Sequence, residues 1–430
     1  MKVKLKFLPM ILFLGVCVSA FSQQTNERGL RLSLQEAQDY AVQNNKTVLN
    51  AGLSVSEAQK RTWEVISAGL PQVNATIDYA NMMGFKMSFA GMNIALNPTS
   101  NFQTTVSQLL FNASYWVGIK MSKIGEEMTE TLRQQAELDT RQQTQTAYFT
   151  VLVVEENLKI LEQNLKNIET IARSAEDLVR IGVAEQTDAD QLKVQTLTLA
   201  NAIKSLERNL ELGYNLLRFQ LGVDPSTEIM LTQTLEELMI IKNAFGILAT
   251  EFDLNRNYTM QLLDGQVDLA NMQLNLERSA NLPTVAAFYN YTYKIKKSTF
   301  DMSPNNIVGL NVSIPIYASG KRYVKAQQAK INLDKVRNDR ELATEGLLMQ
   351  EKQLRFNLKS ALESFEQQKD AMAVSQRVFD SVTRKFQQGT ASSLDVTTAS
   401  MSLLQAQGDY INAMMTTLTA QTELEKLINK

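Results

Sequence analysis

The stretch Leu70-Pro71-Gln72-Val73-Asn74-Ala75-Thr76-Ile77-Asp78-Tyr79 is written a second time, 212 positions on, as Leu282-Pro283-Thr284-Val285-Ala286-Ala287-Phe288-Tyr289-Asn290-Tyr291. A period this long exceeds any solenoid unit, so the chain is a duplicated half-molecule. The echo runs outward from there. Asn45 lies 26 residues before Pro71, and Asn257 lies 26 before Pro283. Val106-Ser107-Gln108-Leu109-Leu110-Phe111 is answered by Val312-Ser313-Ile314-Pro315-Ile316-Tyr317 at an offset of 206. Gly182-Val183-Ala184-Glu185-Gln186-Thr187-Asp188 is answered by Gly389-Thr390-Ala391-Ser392-Ser393-Leu394-Asp395 at 207. The slip from 212 to 206 falls between two strand-like stretches, where a loop absorbs length changes. Each half is expected to run helix, strand, loop, strand, very long helix, Gly-centred break, long helix. The expected divisions are an export signal at 1–22, a first repeat at 23–221, a linker at 222–250 and a second repeat at 251–430.

The strands are read from period-2 alternation. Val285, Ala287, Tyr289, Tyr291, Tyr293 and Ile295 share one face, against Thr284, Ala286, Phe288, Asn290, Thr292 and Lys294. Val73, Ala75, Ile77 and Tyr79 repeat the phase in the first half. The return strand sets Val308, Leu310, Val312, Ile314 and Ile316 against Gly309, Asn311, Ser313 and Pro315. Its counterpart, Phe102 to Phe111, matches less well because Gln108 falls on the apolar face. Strands of about ten residues with one apolar face suit a membrane barrel, with tyrosines at the interface. A soluble sandwich uses the same alternation, and the strands alone do not choose between the two. Four strands cannot close a membrane barrel, so the first reading needs several chains; three copies would supply twelve strands.

The helices are read from a period of seven. From Ala113 to Ile181 there is no proline, and the only glycines are Gly118 and Gly125. A helix of 60 to 70 residues is about 100 Å long. Val151, Leu158, Leu165, Ala172 and Val179 are spaced by seven, as are Val154, Leu161, Ile168 and Ala175. Leu358, Phe365, Met372, Phe379 and Phe386 repeat the first series 207 positions later. Seams of this kind pack helix on helix as a left-handed coiled coil. The phenylalanine stripe is packing rather than a cofactor site. Gly182 and Gly389 stand where a helix C-cap wants glycine, so each half ends in an antiparallel helical hairpin with a tight tip.

Composition removes most chemistry. The chain has 430 residues, a net charge of −2, no histidine and one cysteine, Cys17. Cys17 lies in the export segment, where Lys2, Lys4 and Lys6 precede the apolar run Phe7 to Val18, and Ala20 and Ser22 set a cut before Gln23. That run is too short for a membrane anchor. Lipidation of Cys17 is the alternative, although Val16 is a poor fit before an acylated cysteine. The mature chain therefore has no disulfide, no thiol nucleophile and no imidazole base, which excludes Ser-His-Asp and Cys-His catalysis and the usual zinc sites. There is no glycine-rich phosphate loop, no paired-carboxylate motif and no basic excess for nucleic acid. The chain is not expected to be an enzyme, and no cofactor is expected. No later segment approaches 18 apolar residues, so no membrane-spanning helix is expected. Met82, Met83, Met87 and Met92 cluster in the loop from Asn81 to Asn101. Clustered methionines can hold copper(I) or silver, or can simply fill irregular packing.

With these elements in order, the chain resembles the TolC family of outer-membrane efflux and secretion channels over essentially all of the mature sequence. Leu32-Ser33-Leu34-Gln35-Glu36-Ala37 before Asn44-Asn45 is similar to the family's opening helix. Leu70-Pro71 and Leu282-Pro283 resemble its strand starts. Gln108-Leu109-Leu110-Phe111 resembles its strand exit without the proline, and Leu221-Gly222-Val223-Asp224-Pro225 its close of the first half. The resemblance implies a mainly α fold: a trimer whose twelve strands form one outer-membrane β-barrel and whose hairpins continue it as a periplasmic α-barrel. It also implies an equatorial region from about 222–250, minimal here because the chain ends at Lys430 soon after its last helix. The implied partners are a periplasmic membrane-fusion (adaptor) protein, an inner-membrane RND or ABC pump, and outer-membrane lipid.

By the same resemblance Gly182, Val183, Thr187, Asp188, Gly389, Thr390, Leu394 and Asp395 form the adaptor-docking tips. Asp395, Asp188 and Phe386 belong to the gate. The chain departs from the family's best-known member at three places. Ala391 stands where that member has arginine, Phe386 where it has tyrosine, and Thr398 where it has a second gate aspartate. The gate is therefore expected to close through Phe386 packing rather than a polar latch. Helix N-terminal charge pairing is the plainer account of the tip aspartates. A type I protein-secretion duct is the same channel with another pump. An exported coiled-coil protein without a pore is the rival of another class. A periplasmic adaptor would need a lipoyl-like strand domain, and none is legible.

Overall fold

A computed structural model describes residues 29–89, 92–95, 97–241, 244–297, 301 and 303–429. The export segment, with Cys17, lies outside the described residues. The first half runs β1 (Leu30–Leu32), α1 (Leu34–Asn44), α2 (Lys46–Ser67), β2 (Gln72–Ala80), β3 (Lys86–Phe89), β4 (Met92–Ala95), β5 (Thr99–Phe111), α3 (Ala113–Arg180) and α4 (Gln186–Leu221). Then come β6 (Ile229–Leu231), α5 (Leu235–Ile241) and α6 (Ala244–Leu248). The second half runs α7 (Tyr258–Ser279), β7 (Thr284–Lys296), β8 (Asn306–Ser313), α8 (Lys321–Gln387) and α9 (Ser393–Leu427).

The two long helices have 68 and 67 residues. At 1.5 Å per residue each is about 100 Å long. Each folds back on a shorter partner of 36 or 35 residues. The seams lie where the heptads place them: Ile168, Ala175, Phe379 and Phe386 are buried in one cluster with Leu192, and Leu161, Leu165, Ala172 and Val179 pack against it. Phe365 stacks on Tyr410 with ring centroids 5.5 Å apart. The seam is not purely apolar. Asn164 is buried, and its Nδ2 donates to Gln407 Oε1 at 2.8 Å. A paired polar group inside a heptad seam fixes register between the hairpins.

The four long strands form one antiparallel sheet in the order β2-β5-β7-β8. The two halves thus meet at β5 and β7, and β2 and β8 are its edges. Register stacks Val73, Val106, Tyr289 and Val308 in one row, and Ile77, Phe102 and Tyr293 in another. This apolar face has no covering layer. Val73 is 66% exposed, Ile77 70% and Val308 81%. A soluble sandwich would bury that face under a second sheet. A single sheet that leaves it open needs another apolar medium.

Two local features depart from the sequence expectation, and a third, the polar Gln108 on the apolar face, finds its reason. β8 ends at Ser313, so Ile314 and Ile316 are not in the strand; Pro315 cannot donate to a ladder. The loop Asn81–Asn101 carries the hairpin β3–β4, with Met87 in register with Ile94 and Phe89 with Met92. Gln108 sits in the apolar phase of β5, and its Nε2 donates to the Gly69 carbonyl at 2.7 Å. Its polarity is satisfied by the turn below the sheet.

Midway down the helices a belt packs outside the hairpins. β1 and β6 pair in parallel, Leu30 with Ile229 and Leu32 with Leu231. They close a core of Leu34, Ala41, Phe149, Leu217, Leu238 and Leu418. Tyr148 is fully buried there and its hydroxyl donates to the Leu32 carbonyl at 3.1 Å; burial pushes its pKa up to about 12.

Candidate functional site

The two tips are built alike. In the first, Gly182 N–H donates to Val179 O at 3.0 Å and Val183 N–H to Leu178 O at 2.9 Å. In the second, Gly389 N–H donates to Phe386 O and Thr390 N–H to Lys385 O, both at 2.9 Å. Both are Schellman closures, which need a left-handed residue. Gly182 has φ +79° and Gly389 +73°, and a Cβ at either would meet nothing within 4 Å. Within the chain these glycines are required by conformation, not by close approach.

The next helix then starts with a reciprocal cap. Glu185 and Asp188 form a capping box, and Ser392 and Asp395 form another. Asp395 Oδ2 accepts from Ser392 N–H at 2.9 Å and from Ser392 Oγ at 2.8 Å. The backbone N–H of Ser392, followed by its hydroxyl, holds the Asp395 carboxyl below the usual carboxylate range. The plainer reading of the tip aspartates is therefore present in the geometry: both cap their helices. Thr187 and Thr390 also serve local turns, with Thr187 Oγ1 3.3 Å from Glu185 Oε2 and Thr390 Oγ1 donating to Lys385 O at 3.1 Å.

Polar and apolar contacts join the tips. Ser393 is 1% exposed, and its hydroxyl donates to Asp188 Oδ1 across the two hairpins. Directly above it, Phe386 is 6% exposed and packs in the cluster of Ala189, Leu192 and Val396. The structure thus brings Asp188, Phe386 and the start of α9 together. It leaves Val183 (68% exposed) and Leu394 (61%) facing outward.

Two contributors were missed in the sequence. Ser393 is one; the pattern Ser392-Ser393-Leu394-Asp395 signals a capping box, but not that the second serine crosses to the other hairpin. Ile181 is the other, an apolar side chain 68% exposed beside Val183. Ile181 and Val183 at one tip and Leu394 at the other are thus exposed apolar side chains, the kind of surface that suits a protein partner.

A groove near the belt, about 690 Å³, is lined by Gln38, Arg141, Gln145, Gln233 and Thr422 among others. Its amides bond one another: Gln38 Nε2 donates to Gln145 Oε1 at 2.9 Å, and Gln233 Oε1 accepts from Leu34 N–H at 2.8 Å. Among the described residues no group of three His, Cys, Asp or Glu could hold a metal, and no helix is long and apolar enough to cross a membrane. Met82 and Met83 are exposed.

The family model for outer membrane efflux proteins matches residues 37–223 and 253–430. The chain is 24% identical over 435 residues to the outer membrane protein TolC of Salmonella enteritidis, covering 98% of this chain and 85% of that one. Its fold is that of the CmeC outer membrane channel of Campylobacter jejuni (TM-score 0.75, 16% identity, 92% of this chain and 85% of the other). It is also that of the open-state MtrE outer membrane channel of Neisseria gonorrhoeae (TM-score 0.74, 17% identity, 92% and 88%).

Proposed function

We propose that this chain, which belongs to the outer membrane efflux protein family, is one third of a trimeric channel that carries small toxic compounds from an inner-membrane pump to the cell exterior. Its location is the outer membrane, with a long periplasmic extension. The observation that carries the reading is the uncovered apolar face of the sheet above helices about 100 Å long. Such strands pair until no edge is left in lipid, because unpaired backbone groups are costly there. Three copies would join β8 of one chain to β2 of the next and close a barrel of twelve strands.

The mechanism is passive. The polar strand face, with Asn74, Thr105 and Asn290 in one row, lines the lumen. The hairpins continue the lumen as a periplasmic tunnel. At its closed end the three copies of Asp395 stand near the axis as a ring that favours cations. Phe386 packing and the Ser393–Asp188 contact hold each chain's hairpins together. Ile181, Val183 and Leu394 dock the adaptor. A type I secretion duct would use the same geometry with another pump.

Cysteine pairs scanned along β2 and β8 test this arrangement, since the mature chain has no cysteine of its own. Oxidation in intact membranes should yield dimer and trimer bands at one register. Absence of any crosslink between these edges would contradict it.

A further inference from the structure

The cations of the long helices are unevenly placed. In the first 13 residues of α3 stand Lys120 and Lys123 and no carboxylate; in the first 13 of α8 stand Lys321, Arg322, Lys325 and Lys330 and no carboxylate. These turns lie directly below the sheet, because β5 ends at Phe111 and α3 begins at Ala113. The helix dipoles offset one another at this level, since α2 and α7 end there at Ser67 and Ser279, so the charge is that of the side chains. Because both sites hold the same place in the repeat, the foot of the sheet forms a collar in which these lysines and arginines, with Arg278, outnumber Glu64 and Glu277 at the ends of α2 and α7. Aromatic side chains stand in it: Trp116 is 60% exposed and Tyr323 70%. Trp116, Lys120 and Lys123 follow at i, i+4 and i+7, so they share one exposed face of α3.

One place in the collar has the shape of a site. A groove of about 370 Å³ between the strand-proximal ends of α3 and α7 is lined by Val117, Lys120, Met272, Asn275, Arg278 and Leu282, among others. Lys120 and Arg278 form no ion pair among the described residues. Two uncompensated cations and an amide stand beside apolar walls, at the edge of a sheet with an open apolar face. A molecule with a phosphate at one end and a hydrocarbon chain at the other satisfies both halves of the site.

We propose that this groove binds the headgroup of an anionic phospholipid from the leaflet at the foot of the sheet. Lys120 and Arg278 hold the phosphate, Asn275 donates to the headgroup, and Val117, Met272 and Leu282 take the start of the acyl chain. The proposal rests on the membrane-barrel reading above.

Native mass spectrometry of the full protein in detergent, with phosphatidylglycerol or phosphatidylcholine added, tests it. Phosphatidylglycerol should be retained in preference to phosphatidylcholine, and Lys120→Gln and Arg278→Gln should each weaken it about fivefold. Millimolar inorganic phosphate should not displace it. Equal retention of the two lipids, an unchanged double variant, or displacement by phosphate alone would overturn the proposal. The same double variant should keep wild-type channel conductance in bilayers. A wild-type protein that retains the lipid but never conducts would sink the channel reading and leave the site standing. A conducting protein without lipid preference would do the reverse.

Discussion

Ser393 donates a hydrogen bond to Asp188 from the first turn of α9 to the first turn of α4, joining residues 205 positions apart in sequence. It is a polar tie between the two hairpins of one chain at their tips, and Gln191 Oε1 lies 3.4 Å from the same hydroxyl. Ser393→Ala removes the donor while Asp188 keeps its capping-box contact to Glu185 N–H. The tip should lose about 1 kcal/mol of local stability. Antibiotic leakage through the channel should rise in Ser393→Ala and return toward wild type in Ser393→Thr. Equal leakage in all three would remove this contact from the gate.

Phe386 tests the apolar half of the same closure. Its side chain is buried among Leu192, Val396 and Ala189. Phe386→Ala should destabilise the tip by about 3 kcal/mol and raise conductance and leakage together. Phe386→Leu should give a smaller effect in both readings. If Phe386→Ala assembles normally and leaves conductance and leakage unchanged, closure does not depend on its packing.

Asn45 and Asn257 do the same work in the two repeats. Asn45 Nδ2 donates to Gln220 O at 2.8 Å and its Oδ1 accepts from Thr47 N–H; Asn257 Nδ2 donates to Leu427 O at 3.0 Å and its Oδ1 accepts from Thr259 N–H. Each thus caps an upper helix and ties it to the end of a lower one. Alanine at either should lower stability by about 2 kcal/mol, and serine, which keeps the cap, by about half that. Thermal unfolding of the detergent-solubilised protein reads the difference. Serine and alanine variants that melt together would show that the cap contributes nothing.

The tip glycines should be replaceable in space but not in conformation. Gly182→Ala and Gly389→Ala meet no neighbour, yet both residues sit in the left-handed region. Each should cost about 1 kcal/mol, and asparagine should recover part of it. Faster hydrogen exchange confined to residues around the altered tip is the expected result. A variant with exchange as slow as wild type would contradict the conformational account.

Asp395 gives the tip a pH dependence. Its native pKa is depressed by the Ser392 N–H and hydroxyl, so its contribution is present above its ordinary value of 3.8 and is lost as pH falls through the lower native value. Exchange at the start of α9 should therefore accelerate only under strong acid in wild type. In Asp395→Asn that acid step should be missing. An unchanged acid step in the variant would assign the titration to another group.

The legible parts of this fold are those set by repetition. The offset of 207 pairs Ala172 with Phe379 and Val179 with Phe386, and all four pack in one seam near the tips. The alternation of Val73, Ile77 and Tyr289 fixes the strand faces because side-chain direction has a period of two. What the pattern cannot carry is long-range pairing. Ser393 looks like a cap residue, and its crossing to Asp188 depends on how two hairpins are placed. Gln108 looks like a fault in a strand until Gly69 is seen beneath it. The hairpin at Met87 and Ile94 hid in a loop because four-residue strands carry little periodic signal. The open apolar face was the deciding observation, and no single sequence distinguishes an uncovered face from one under a second sheet.

The central claim is that three copies close a conducting pore. Single-channel conductance of the purified protein in a planar bilayer, with its mass measured in detergent, tests it most directly. The account predicts a trimer giving discrete, cation-preferring steps whose selectivity falls in Asp395→Asn. A monodisperse helical species that never inserts and never conducts would contradict it and leave an exported coiled-coil rod in its place.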